Sequence, residues 1–86
     1  MARYFFDIDD AQFSVRDDHG VDCPDHDAVS SEALRALCEI AGDHPERYVS
    51  GKLRTTVRDA KDRTVLTASI SLTTAWHVEG ERSEAA

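Results

Sequence analysis

His19, Cys23 and His26 fall in one short acidic stretch, and Asp22 or Asp25 could supply a fourth ligand, so the first chemistry these residues suggest is zinc binding. Structural zinc sites draw on paired units such as Cys-x2-Cys or His-x3-His from two segments, and no such pair stands here. A hydrated loop leading into a helix cap accounts for the same residues, and His19, Cys23 and His26 are kept only as a metal-binding alternative. Calcium fits no better. A helix-loop-helix calcium site needs a glycine at the sixth loop position and a bidentate glutamate at the twelfth, and the acidic run from Asp17 to Asp27 has neither in place.

Nucleophiles are present without the neighbours that would activate them. Ser30 and Ser31 fall on the solvent side of the helix expected below, and Cys38 falls beside its buried stripe, where it reads as a small core hydrophobe. None of them has a histidine at an activating spacing. A glycine-rich phosphate loop, a nucleophile elbow and a dinucleotide fingerprint are all missing from the sequence. The expectation is a chain that is not an enzyme and carries no cofactor.

A third group bears on binding. Arg3, Phe5, Arg54, Thr56 and Arg58 project together from one open sheet face if the strands pair as their alternation implies. An aromatic ring among arginines can stack on bases, as RNA-binding sheets do, or meet the acidic surface of a partner protein. Seventeen acids against ten bases give a net charge of −7, which repels nucleic-acid phosphates at long range and favours the protein partner. An ordinary solvated sheet face is the plain alternative.

The elements that must position these residues follow from periodicity. Tyr4, Phe6 and Ile8 alternate with Arg3, Phe5 and Asp7, which predicts a strand with one buried face. Asp9, Asp10 and Ala11 form a turn, Phe13 and Val15 a shorter second strand, and Asp17 to Gly20 its end. Asp25 is a helix N-cap, and the helix runs from about Asp27 to about Ala41. Val29, Ala33, Leu37, Ile40 and Ala41 share its inner face with Leu34 and Cys38 beside them, while Gly42 stops it and Pro45 confirms the break.

After a polar connection from His44 to Ser50, Leu53, Thr55 and Val57 alternate with Arg54, Thr56 and Arg58 in a third strand. Asp59 to Asp62 is a tight turn into a fourth, in which Leu66, Ala68, Ile70 and Leu72 face one way. The fold expected is α+β: a two-layer ββαββ domain over residues 1–72, with an antiparallel four-stranded sheet and one helix packed on one face. Alternation continues through Thr74, Trp76 and Val78, so residues 73–86 read as a strand extension and a flexible charged tail. Trp76 and Val78 lack cover within so small a domain and are the expected contacts of a homodimer.

Arg3-Tyr4-Phe5-Phe6-Asp7-Ile8, then Asp18, Gly20, Asp25, Ala28 and Glu32-Ala33-Leu34-Arg35-Ala36-Leu37, carry a family resemblance that continues into Val57-Arg58-Asp59 and Val65-Leu66. Over roughly residues 2–72 the chain resembles the domain of unknown function 6894 family, short alphaproteobacterial proteins that open with an Arg-Tyr-Phe-Phe type strand. The resemblance implies a fold and a bacterial cytoplasmic setting, and it transfers no catalytic residues. Two departures from the family pattern stand out: Lys61-Asp62 occupies a turn where glycine is common, and the first turn lacks an Asp-Gly pair.

The opening residues place Asp7 directly after the aromatics, unlike a signal peptide, and no run approaches the length that spans a bilayer. Two cysteines are too few for a disulfide framework, so Cys23 and Cys38 read as reduced thiols of a cytoplasmic protein. The function expected is a small protein-interaction or regulatory module, homodimeric, acting through the sheet face or an edge strand. An antitoxin-like regulator linked to nucleic acid is the alternative from another class, with nucleic acid and membrane both disfavoured as partners.

Overall fold

The computed structural model describes residues 1–78. Strand β1 spans Ala2–Asp9 and β4 spans Leu53–Arg58; they pair antiparallel with Phe6 opposite Val57 and Ile8 opposite Thr55, so one apolar face runs across both. Strand β5, Thr64–Ile70, continues that face by pairing with β4, Leu66 opposite Val57 and Ile70 opposite Leu53. On the far side of β1 lie two short strands, β2 (Ser14–Val15) beside Ile8 and Asp9, and β3 (Val21–Cys23) beside Ala2 to Tyr4. The order across the sheet is β2-β1-β4-β5, with β3 on β1 as well.

Helix α1, His26–Asp43, crosses the apolar face. Asp25 caps it as expected, its carboxylate accepting the Ala28 backbone N–H at 2.8 Å, and Asp27 puts negative charge in the first turn. Its buried stripe is Val29, Ala33, Leu37 and Ala41. Val29 and Ala33 pack with Phe6, Cys23 and Val57 into one cluster, and Leu37 and Ala41 pack with Tyr48 and Leu53 into a second. The chain is thus an α+β domain with its helix on one sheet face, and no described helix is long and apolar enough to cross a membrane.

The structure departs from the sequence expectation in four places. The sheet has a fifth strand, β3, where a closing loop was expected. The helix runs past Gly42 and stops at His44, whose φ of −141° and ψ of 65° lie outside the helical region. Pro45 explains this, because its ring bars the preceding residue from helical geometry. Pro45 then opens a short 3-10 helix, Pro45–Tyr48, which carries Tyr48 into the core of the supposedly polar connection. Leu34 and Cys38, expected beside the buried stripe, are exposed.

Asp10 fastens that 3-10 helix to the first hairpin. One carboxylate oxygen accepts the backbone N–H groups of Gln12 (2.7 Å) and Phe13 (3.1 Å), closing the turn without a glycine. The other accepts the Tyr48 hydroxyl and the Arg47 guanidinium, both at 2.9 Å. β5 ends at Ile70, and the Leu72 N–H then donates to the Tyr48 carbonyl at 2.7 Å while its side chain packs on the second cluster.

Leu37 is 1% exposed at the centre of the second cluster. Leu37→Ala should lower the unfolding free energy by about 2–5 kcal/mol, a large share of the whole for a chain this size. Cys38→Ser, on the exposed side of the same helix, should change it by less than about 0.5 kcal/mol. Urea titration of both variants followed by circular dichroism checks the contrast.

Candidate functional site

Directly opposed residues of an antiparallel pair share a sheet face. Phe5 faces Arg58, Asp7 faces Thr56, Asp9 faces Arg54 and Arg3 faces Asp22, all on the side away from the helix. Arg3, Phe5, Arg54, Thr56 and Arg58 therefore do lie on one face, but with Asp7, Asp9 and Asp22 among them, a set of acids that the sequence reading left out. Arg54 holds Asp9 through two contacts of 3.3 and 3.0 Å, and Arg3 pairs with Asp22 at 3.2 Å and donates to the His19 carbonyl.

Arg58 does not project into water; its side chain is 11% exposed. Nε and Nη2 grip Asp7 at 2.7 and 2.9 Å, Nη2 also donates to the Asp17 carbonyl at 2.8 Å, and Nη1 reaches Asp62 at 3.0 Å. The Phe5 ring lies 5.1 Å from the guanidinium carbon. Gly20, at φ +75°, closes over the same ring: a Cβ there would stand 2.9 Å from Phe5, from Arg3 and from the Tyr4 carbonyl. Phe5 is thus partly covered by Arg58 and Gly20 of its own chain, which leaves less of its ring for a base to stack on.

Asp17 holds the gap between β2 and β3. Its carboxylate accepts the Phe6 N–H at 3.0 Å, which the missing strand would have taken, and the N–H groups of His19 and Gly20 as well. Its own N–H donates to Asp7 at 3.0 Å. Asp62 takes a φ of +65° in the second-hairpin turn, doing as an aspartate what glycine does more freely, and it pairs with both Arg58 and Arg16. Hydrogen bonding to Arg58 holds Asp7 below the ordinary carboxylate range against the opposing effect of burial. Burial also opposes ionisation of Asp17, but three backbone N–H groups outweigh it, and Arg58 and Arg16 lower Asp62.

Every described arginine is paired with a carboxylate: Arg3, Arg16, Arg35, Arg47, Arg54, Arg58 and Arg63. Nor does the metal-binding alternative assemble. Among the described residues no group of three or more His, Cys, Asp or Glu side chains could hold a metal ion, and Cys23 is buried in the core with burial pushing its thiol pKa up.

What the sheet leaves unsatisfied is an edge. Among the described residues β5 is paired on one side only, by β4, and its seven residues, Thr-Val-Leu-Thr-Ala-Ser-Ile, carry no charge and no proline. Natural sheets guard such edges with lysine, proline or bulges. Here the sole guard is the irregularity opposite Val57 and Arg58, where Val65 is the extra residue between Thr64 and Leu66. Beside it opens a cleft of about 530 Å³ between α1 and β5, lined by Val29, Val65 and Leu66 with His26, Asp27 and Ser30. Past Leu72 no strand is assigned as far as Val78, and Trp76 is 88% exposed. The expected strand through Val78 therefore stops short, and the rest of the expected tail, from residue 79 on, lies outside the described residues.

Residues 3–71 match the family model described as Domain of unknown function (DUF6894). No curated protein and no solved structure is similar enough to the chain to match it.

Asp7, Asp17 and Asp62 all ionise more readily folded than unfolded, so each adds stability that is complete above the ordinary aspartate value and lost as pH falls through the depressed one. The melting temperature should hold level from about pH 8 to about pH 5 and fall below about pH 4. Arg58→Lys keeps the charge but cannot span Asp7, Asp62 and the Asp17 carbonyl together. It should melt several degrees lower at neutral pH with a shallower acid limb, read by thermal melts across the pH range.

Proposed function

The chain belongs to the DUF6894 family, a domain of unknown function, and from that premise we propose a non-enzymatic protein-interaction module that takes up an extended segment along the free edge of β5. The observation that carries this reading is seven consecutive strand residues with no charge and no second strand beside them among the described residues. Adding a strand there satisfies outward-facing backbone N–H and C=O groups, and alternate side chains of the guest reach either sheet face. The helix-side cleft next to Val65 and Leu66 offers an apolar seat for one of them.

The open sheet face is the weaker candidate, because Arg3, Arg54 and Arg58 already have carboxylate partners on it. That same pairing leaves few cations for a phosphate backbone and favours protein over nucleic acid as partner. A cytoplasmic setting fits two unbridged cysteines, one of them exposed.

Thr67 is exposed at the middle of β5, so Thr67→Lys places a solvated charge on the edge without disturbing the core. A partner retained from the source cells by the unaltered chain should be lost by Thr67→Lys and kept by Arg54→Glu on the open face. Retention by Thr67→Lys together with loss by Arg54→Glu would reverse the assignment. Affinity capture with quantitative mass spectrometry on the three proteins makes the comparison.

A further inference from the structure

Resting on the edge reading, we propose that the occupant of this edge is a second copy of the same chain, two β5 strands pairing antiparallel about a two-fold axis through Thr67, with Trp76 of each copy seated in the other's cleft between α1 and β5.

Charge limits where two such chains can meet. A net charge of −7 makes the copies repel, and the penalty is least where no acid lies near the contact. β5 itself carries no charged residue from Thr64 to Ile70, and Asp27 is the one acid lining the cleft beside it. A two-fold axis through Thr67 sets Leu66 opposite the second copy's Ala68 and Ala68 opposite its Leu66, large against small on the helix side. On the other side Thr67 meets Thr67, and the same rotation keeps both helices on one face of the joined sheet. An isologous contact of this kind closes on itself and leaves no further β5 edge exposed.

The tail supplies the second argument. The cleft lies at the start of β5, beside Val65 and Leu66, whereas the chain departs from the strand's far end and is fixed at Leu72 by its bond to the Tyr48 carbonyl. From Leu66 to Leu72 an extended chain runs about 20 Å. The four residues from Leu72 to Trp76 span at most about 14 Å, so a tail doubled straight back still leaves the Trp76 backbone short of its own cleft. In the two-fold pair Ile70 stands opposite the second copy's Thr64, and the tail begins beside that copy's cleft. The two-fold pair thus sets each cleft beside the other copy's tail, whereas its own tryptophan would have to double straight back to approach it.

The chemistry of the seat suits an indole. Val29, Val65 and Leu66 form an apolar wall, about 530 Å³ is room enough for the ring, and Asp27 and Ser30 at the rim can accept its N–H. In the single copy that ring is 88% exposed.

Trp76 is the one tryptophan in the chain, so its fluorescence reports this site alone. Sedimentation equilibrium of the full chain from low to high micromolar concentration should show a monomer–dimer equilibrium, with emission moving to the blue as dimer forms. Thr67→Lys should be monomeric with an unchanged circular dichroism spectrum and water-like emission. Trp76→Ala and Val65→Asp should each raise the dimer dissociation constant about tenfold or more, and the double variant should be no weaker than the worse single one. A chain that stays monomeric with water-like emission overturns the dimer while leaving the edge free for another protein. A dimer that persists in Thr67→Lys overturns both the two-fold and the edge reading, and a dimer with water-like emission overturns the Trp76 seat.

Discussion

One guanidinium holds the sheet side of this domain together. Arg58 joins β4 to β1 through Asp7, to the segment between β2 and β3 through the Asp17 carbonyl, and to the β4–β5 turn through Asp62. Lysine could satisfy one of these partners at a time; the planar fork satisfies all of them in one geometry. Enclosed ion pairs are seldom net sources of stability, since the charges must first leave water, yet leaving one carboxylate unmatched there is costly. What the arrangement secures is register: Phe5 can oppose Arg58, and Asp7 can oppose Thr56, only when β1 and β4 are aligned as they are.

That clamp also decides what the surface has left to offer. A chain with net charge −7 spends its described arginines on its own acids, so the face that looks basic in the sequence is electrically closed. Asp10 repeats the pattern at the other end of β1, its carboxylate only 4% exposed between Arg47 and the Tyr48 hydroxyl. Both sites use short acids to do what glycine or an extra strand would do elsewhere, closing a turn at Asp10 and plugging a strand gap at Asp17.

Local pattern made the helix and the long strands legible. Val29, Ala33 and Leu37 recur at helical spacing, and Tyr4, Phe6 and Ile8 or Leu66, Ala68 and Ile70 at a spacing of two, so each element announces its own buried side. Features that depend on distant partners were hidden. Val21-Asp22-Cys23 is too short to show a period and becomes a strand only because β1 lies beside it. Tyr48 is a lone aromatic in a polar segment, drawn inward by Asp10, thirty-eight positions away. Arg58 alternates like a solvent residue, and it is enclosed by Asp7, Asp62, the Asp17 carbonyl and the Phe5 ring, which the folded chain gathers round it. Asp-rich turns next to a strand arginine were the one signal that could have found the clamp.

The end of β5 follows from the same dependence on partners. Alternation continues through Leu72, Thr74 and Trp76, but Leu53, where β4 begins, is already opposite Ile70, so β4 offers no further residue for a longer β5 to pair with. A period of two states which way side chains would point, and the hydrogen-bonding partner determines whether the strand exists. Thr73 to Trp76 thus keep the composition of a strand although no strand is assigned there, next to an uncharged β5 edge that has no second strand among the described residues. A sheet edge with one strand neighbour and a segment patterned as strand but assigned none are the two features that the proposed two-fold pair would join.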